Sequence, residues 1–286
     1  MLISDSTTGG DLQIARLGAC SLKDATYKTI NGHSLLASIV VPRGLAPGKH
    51  PLVVRWHGGG LVNGHRLYTP WIAQYMIEFL HTSKAIMVLP DYRLLPGASG
   101  LDILEDMNDF FAWIFNGGMD RHLETGISAD LSDVLVSGES AGGWLAIQSA
   151  LTQQTPRIKA IVAHYPMIDM RDVHWNVPDS RKYLGGAPQK KPRDLARFFS
   201  QQEETITYRM PPDGGEIYHC LVRQGLYGKF FGTNRCLYPL EVMEDVCSEI
   251  PCLSLIDVDK NLRSDRSLRS GSYTVLVTLL CHLLVP

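Results

Sequence analysis

Apolar and polar positions in this chain recur with two periods, near two and near 3.6 residues, and the segments in which each holds follow one another in turn. Residues 26–30 and 33–41 read as strands, separated by Asn31-Gly32, the dipeptide favoured in a two-residue hairpin turn. Residues 51–56 (Pro-Leu-Val-Val-Arg-Trp) form the next strand and run directly into His57-Gly58-Gly59-Gly60. Residues 68–80 place Trp71, Ile72, Tyr75, Met76, Phe79 and Leu80 at helical spacing, which predicts a helix. Residues 84–89 have the unbroken apolar character of a buried parallel strand. Residues 101–116 give a second helix with a broad apolar face, stopped by Gly117-Gly118. A strand at 133–137, a turn at 138–143, a helix from 144 to 151 and a strand at 157–166 complete the series. Strands alternating with helices predict an α/β protein with a doubly wound, mostly parallel sheet, and the hairpin would supply an antiparallel edge. Residues 11–17 read equally as a short amphipathic helix and as a mobile terminus.

Composition narrows the function classes. The 286 residues are 45% hydrophobic and 20% charged, enough apolar material for a sizeable core in one domain. The net charge of -2 is spread along the chain, with no basic stripe for nucleic acid and no polybasic patch for anionic lipid. A small, fairly apolar molecule suits such a surface better than a polyanion. The amino end has neither a basic region nor a long apolar core of the signal-peptide kind, so a cytoplasmic location is expected. Six cysteines show no C-x-x-C pair and no zinc-type histidine spacing, so free thiols and no metal are expected. The sequence leaves the oligomeric state open.

The chemistry gathers at two glycine-rich turns. Gly138-Glu139-Ser140-Ala141-Gly142-Gly143 lies between a strand and a helix, the setting of a nucleophile elbow, where glycines two before and two after the serine relieve crowding. The pentapeptide alone is a weak signal. Its weight comes from His57-Gly58-Gly59-Gly60, which follows another strand and can bring backbone N–H groups close to a substrate. Asp91-Tyr92-Arg93-Leu94 closes the strand between them.

In this order the three motifs resemble the hormone-sensitive-lipase-like esterases of the α/β-hydrolase fold, over about residues 26–170. The resemblance implies Ser140 as nucleophile and the N–H groups of Gly59, Gly60 and Ala141 as an oxyanion hole. It leaves His57 to brace the glycine loop, with Gly58, Gly138 and Gly142 supporting the turns. The family's D-Y-R-L-A-P-E continues here as Leu95-Pro96-Gly97 without the glutamate, so a structural role is expected for Asp91 to Leu94. Glu139 is expected to hold the turn by a local hydrogen bond. Residues 1–25 and about 167–249, where periodicity is lost, would be elements of a helical cap on a single domain spanning 1–286.

A triad needs an acid and a histidine after the serine. The family's acid loop, H-G-x-x-D, reads Asp257-Val258-Asp259-Lys260 here, making Asp259 the first candidate and Asp257 the second. His282 is the sole histidine after Asp259 and lacks the family's glycine loop; a buried structural histidine is the competing reading. Residues 259–286 are atypical, with the loss of pattern expected of a frameshifted or truncated end. The expectation is a serine-dependent carboxylic-ester hydrolase of a small, fairly apolar ester, with no cofactor and no nucleic-acid or membrane partner. The family's habits imply a setting in secondary metabolism. The alternative is a hydrolase-fold ligand-binding protein whose triad is impaired.

Overall fold

The computed structural model describes residues 15–153, 158–168, 172–178, 205–210 and 213–232, with single residues 170, 193 and 196. Among these residues six strands form one sheet: β1 (Cys20–Ile30), β2 (His33–Pro42), β3 (Gly48–Trp56), β4 (Ile86–Pro90), β5 (Ile127–Glu139) and β6 (Ile158–His164), in the order β1-β2-β4-β3-β5-β6. The hairpin turns at Asn31-Gly32, both at positive φ as a two-residue turn of this kind requires. β1 and β2 pair antiparallel, as do β2 and β4, whereas β3, β4, β5 and β6 run parallel. The α/β sheet with its antiparallel edge is therefore as the alternation predicts.

Side-chain alternation splits the core between the two faces of the sheet. On one face, Leu52, Val54 and Trp56 of β3 and Ile86 and Val88 of β4 meet helices α2 (Gly100–Phe115) and α3 (Ala141–Thr152) through Ile103, Met107, Phe110, Phe111 and Trp144. On the other face, Val53, Met87 and Leu89 meet Met76 and Leu80 of α1 (Gln74–Thr82). α2 opens on a capping box: the Ser99 hydroxyl accepts from Asp102 N–H, and the Asp102 carboxylate accepts from Ser99 N–H.

The helix expected over 68–80 begins later. Thr69–Trp71 is a single 3-10 turn, Ile72 and Ala73 are extended, and α1 starts at Gln74. Arginines take the carbonyls that a continuous helix would need. Arg16 donates to the Thr69 and Ile72 oxygens at 2.6 and 2.8 Å, and Arg55 donates to the Trp71 oxygen at 3.0 Å. Within 11–17, Ala15–Leu17 is a 3-10 turn, and its Arg16 makes the two former bonds. After β6 come α4 (Val173–Asn176), α5 (Asp213–Arg223) and α6 (Tyr227–Phe231); α4 packs on α5 and α6, and α6 also meets α2. No helix among the described residues is long and apolar enough to cross a membrane.

Register places the site. Trp56 pairs with Gly138, and Glu139 pairs with His164. The carboxyl ends of β3, β5 and β6 are therefore level, and His57, Ser140 and Tyr165 emerge side by side where ligands characteristically bind in open parallel sheets.

Candidate active site

Ser140 occupies the single residue between β5 and α3, at φ 53° and ψ -115°. This is a costly conformation for a residue with a Cβ, on the order of 1–3 kcal/mol. Three hydrogen bonds fix it: Ser140 N–H donates to the His164 carbonyl at 2.9 Å, and the Ser140 carbonyl accepts from Trp144 and Met167 N–H at 3.1 and 3.0 Å. Space permits no alternative to glycine at the flanks. A Cβ on Gly142 would lie 2.1 Å from the Trp56 oxygen, and one on Gly138 would lie 2.0 Å from the Gly142 oxygen. The turn thus sets the serine at the positive end of α3, whose first N–H groups, Ala141 included, have no acceptor within the helix.

Glu139 is bound more strongly than the local hydrogen bond expected for it. Its carboxylate accepts from Arg55 Nε at 3.2 Å and from Nη2 at 2.8 Å, with both residues buried. The pair ties the end of β5 to β3, and the Arg55 bond to the Trp71 oxygen extends the tie to the segment before α1. A buried ion pair of this kind contributes little net stability when complete but is costly to break.

The glycine loop is held by its carbonyls. Tyr92 donates to the His57 oxygen at 2.8 Å. The His57 ring, Nδ1 protonated, donates to the Gly58 oxygen at 2.8 Å. Val62 and Asn63 N–H donate to the Gly59 oxygen at 3.1 and 2.9 Å, and Tyr227 donates to the Gly60 oxygen at 2.9 Å. In a trans peptide the C=O and N–H point opposite ways. Anchoring the Gly58 and Gly59 oxygens therefore turns the N–H groups of Gly59 and Gly60 to the other side, where an anion could be received. Gly59 at φ 107° holds a conformation closed to other residues, and a Cβ there would meet the Asn63 oxygen at 2.0 Å.

His57 braces this loop as a neutral ring. It is buried and stacked 4.3 Å from Tyr92, and burial lowers its pKa to about 3. Asp91 to Arg93 are structural, as expected. The Asp91 carboxylate accepts from the Arg66 backbone and guanidinium, and Arg93 binds Asp106, Asp102 and Glu105 at the start of α2.

Both turns open on one cavity of about 260 Å³, lined by Gly58, Gly59, Gly60, Ser140, Asn63, Glu139, Trp71, Tyr165, Gly215 and Tyr218. The structure thus brings Ser140 together with Gly58 to Gly60, and Ala141 follows directly at the head of α3. Asp259, Asp257 and His282 lie outside the described residues. Sequence reasoning missed Arg55, Arg66, Tyr165, Tyr218 and Tyr227. Arg55 carried one legible signal, a charge inside an otherwise apolar strand.

A mostly parallel sheet with a strained serine between strand and helix, facing a glycine loop across a cavity, defines the class of α/β hydrolases. The chain matches the alpha/beta hydrolase fold family over residues 53–207 and belongs to it. A probable carboxylesterase of Phoma sp. is 36% identical over 211 residues, covering 71% of this chain and 66% of that one, so the match spans just under two thirds of that relative. A non-reducing polyketide synthase of Emericella nidulans is 30% identical over 164 residues, 56% of this chain and 6% of the synthase. Among solved structures, an alpha/beta hydrolase superfamily protein from Enterococcus faecalis has a TM-score of 0.55 at 19% identity, covering 74% of this chain and 68% of that one, a likeness of fold.

Proposed function

We propose that the chain is a serine-dependent carboxylic-ester hydrolase of a small, fairly apolar ester. The observation that carries this reading is the convergence of Ser140, in its strained turn, with Gly58, Gly59 and Gly60 on one cavity. The Ser140 oxygen attacks the ester carbonyl carbon while the Gly59, Gly60 and Ala141 N–H groups receive the developing oxyanion. Collapse of the tetrahedral intermediate expels the alcohol and leaves an acyl-serine, and water then releases the acid. His282 is proposed to take and return the proton, oriented by Asp259, on the chain order of the family. The probable carboxylesterase relative supports the reaction, and the likeness to a polyketide synthase supports a setting in secondary metabolism.

Trp71, Tyr165 and Tyr218 supply flat rings to the cavity, while Gly58, Gly59, Gly60 and Gly215 contribute only backbone. Such walls favour a planar ester over a branched aliphatic one. The helices after β6, of which α5 lines the cavity through Gly215 and Tyr218, are read as part of a cap on the same domain. The test is turnover of p-nitrophenyl acetate by the full chain beside Ser140→Ala. The expected result is a rate well above background that falls to background in the variant. A rate unchanged by Ser140→Ala, or no turnover of short p-nitrophenyl or phenyl esters by folded protein, would overturn the reading and leave the ligand-binding alternative.

A further inference from the structure

Tyr227 has no counterpart among the motifs, yet its hydroxyl donates to the Gly60 carbonyl from 167 positions further along the chain. The side chain is wholly buried. Its ring meets Trp175 edge-on at 5.2 Å and Tyr218 at 5.9 Å, so its position is set by α4 and α5. The Gly60 carbonyl is the last in the run of four anchored oxygens, and it lies where the backbone is least favourable. Gly59, Gly60 and Leu61 follow one another at φ 107°, 62° and 58°, and Leu61 carries a Cβ in that left-handed region. The Gly60 N–H shares its peptide plane with the Gly59 oxygen, which is held by Val62 and Asn63 N–H from beyond the Gly60–Leu61 peptide. Without an anchor on the Gly60 oxygen, that intervening peptide could turn and carry the two donors away, and the Gly60 N–H would lose its fixed direction.

We infer that Tyr227 is a positioning residue that sets the Gly60 N–H donor, so that the helices after β6 hold the oxyanion-binding loop as well as covering the cavity. A second strap has the same origin. Arg209 pairs with Gly64 through both backbone groups, and its guanidinium donates to the Val62 and Leu95 carbonyls. The segment after β6 therefore grips the loop at both ends, Gly60 through Tyr227 and Val62 to Gly64 through Arg209. This inference rests on the esterase reading for its kinetic consequence but not for its structural one.

The test is Tyr227→Phe in the full chain, which keeps the ring and its packing and removes the donor. Two readouts are taken: backbone hydrogen exchange of the peptide containing residues 58–62, and kcat and KM on a p-nitrophenyl ester. The expected result is exchange faster by about tenfold, the effect of losing one hydrogen bond of about 1 kcal/mol or slightly more. The expected kcat falls by about tenfold with KM within about twofold, because the donor acts on the transition state. A purely structural role would lower the melting temperature without that split. Exchange at the wild-type rate would overturn the inference whatever the kinetics. Faster exchange with unchanged kcat would overturn the link to the oxyanion donors while leaving the esterase reading intact. If the wild-type chain turns over no ester, that reading fails, and the exchange measurement still decides whether Tyr227 anchors the loop.

Discussion

The serine turn and the glycine loop face each other across one cavity but are built on different physical grounds. The serine turn is shaped by exclusion. Two glycines sit where any side chain would overlap a backbone oxygen at about 2 Å, and Ser140 between them takes the positive-φ conformation that joins strand to helix. The glycine loop, although Gly59 is likewise closed to a side chain, is shaped mainly by attachment, with four successive carbonyls taken by donors from Tyr92, His57, Val62 and Asn63, and Tyr227. Exclusion is local and all-or-none. Attachment is distributed over distant elements and can be weakened one bond at a time. The two regions should therefore respond differently to substitution.

The largest effect is expected at Gly142→Ala, where the added carbon would strike the Trp56 carbonyl and nearly touch that of His57. A loss of more than about 3 kcal/mol in urea denaturation, with esterase activity lost, is expected from such a backbone collision. A stable and active variant would show that the turn tolerates a side chain and would end the contrast. Next comes Arg55→Met, which leaves the Glu139 carboxylate buried without its cation. This should cost about 3 kcal/mol by the same measurement. Glu139→Gln together with Arg55→Met should recover much of that loss, and a double variant no better than the single would count against the ion pair as the tie.

Acid should act through the loop. Burial lowers the pKa of His57 to about 3 and that of His65 to about 4, below the ordinary value of 6.5, so the unfolded chain binds more protons than the folded one in between. Their contribution to stability is complete above pH 6.5 and is lost as the pH falls toward those values. Asp91 works in the opposite direction, since burial raises it to about 6 against the pull of Arg66, so its folded form gains relative stability as the pH falls through 6. With two histidines against one carboxyl, unfolding stability should drop by about 2 kcal/mol between pH 7 and pH 5. Urea curves at the two values check this, and a rise at pH 5 would contradict it. The smallest effect belongs to Tyr92→Phe, which removes one donor from the His57 carbonyl. About 1 kcal/mol of stability and a few-fold loss of kcat are expected, and a loss as severe as that of Gly142→Ala would erase the distinction between the two regions.

The same contrast explains what the sequence made legible. Exclusion writes itself as glycine spacing, so Gly138, Gly142 and the run Gly58 to Gly60 could be read from the chain alone, as could the alternation that builds the sheet. Attachment leaves little trace. Tyr227 is one tyrosine of 11, and nothing local distinguishes it from a core aromatic. Arg16 and Arg55 broke the expected helix at Ile72 and Ala73 by taking its carbonyls, an effect that helical periodicity in residues 68–80 cannot register. Arg66 likewise reaches Asp91 and Asp24 from separate parts of the chain. The acid and base candidates, Asp259 and His282, rested on chain order and remain proposals on that ground.

The proposed chemistry requires the turn at residues 138–143 to present an activated nucleophile. The most direct measurement is reaction of the folded full chain with a fluorophosphonate, followed by intact mass and peptide mapping. One adduct per chain is expected, on Ser140, lost on prior unfolding and absent from Ser140→Ala. Folded protein that remains unlabelled, or a label carried by a residue other than Ser140, would contradict it.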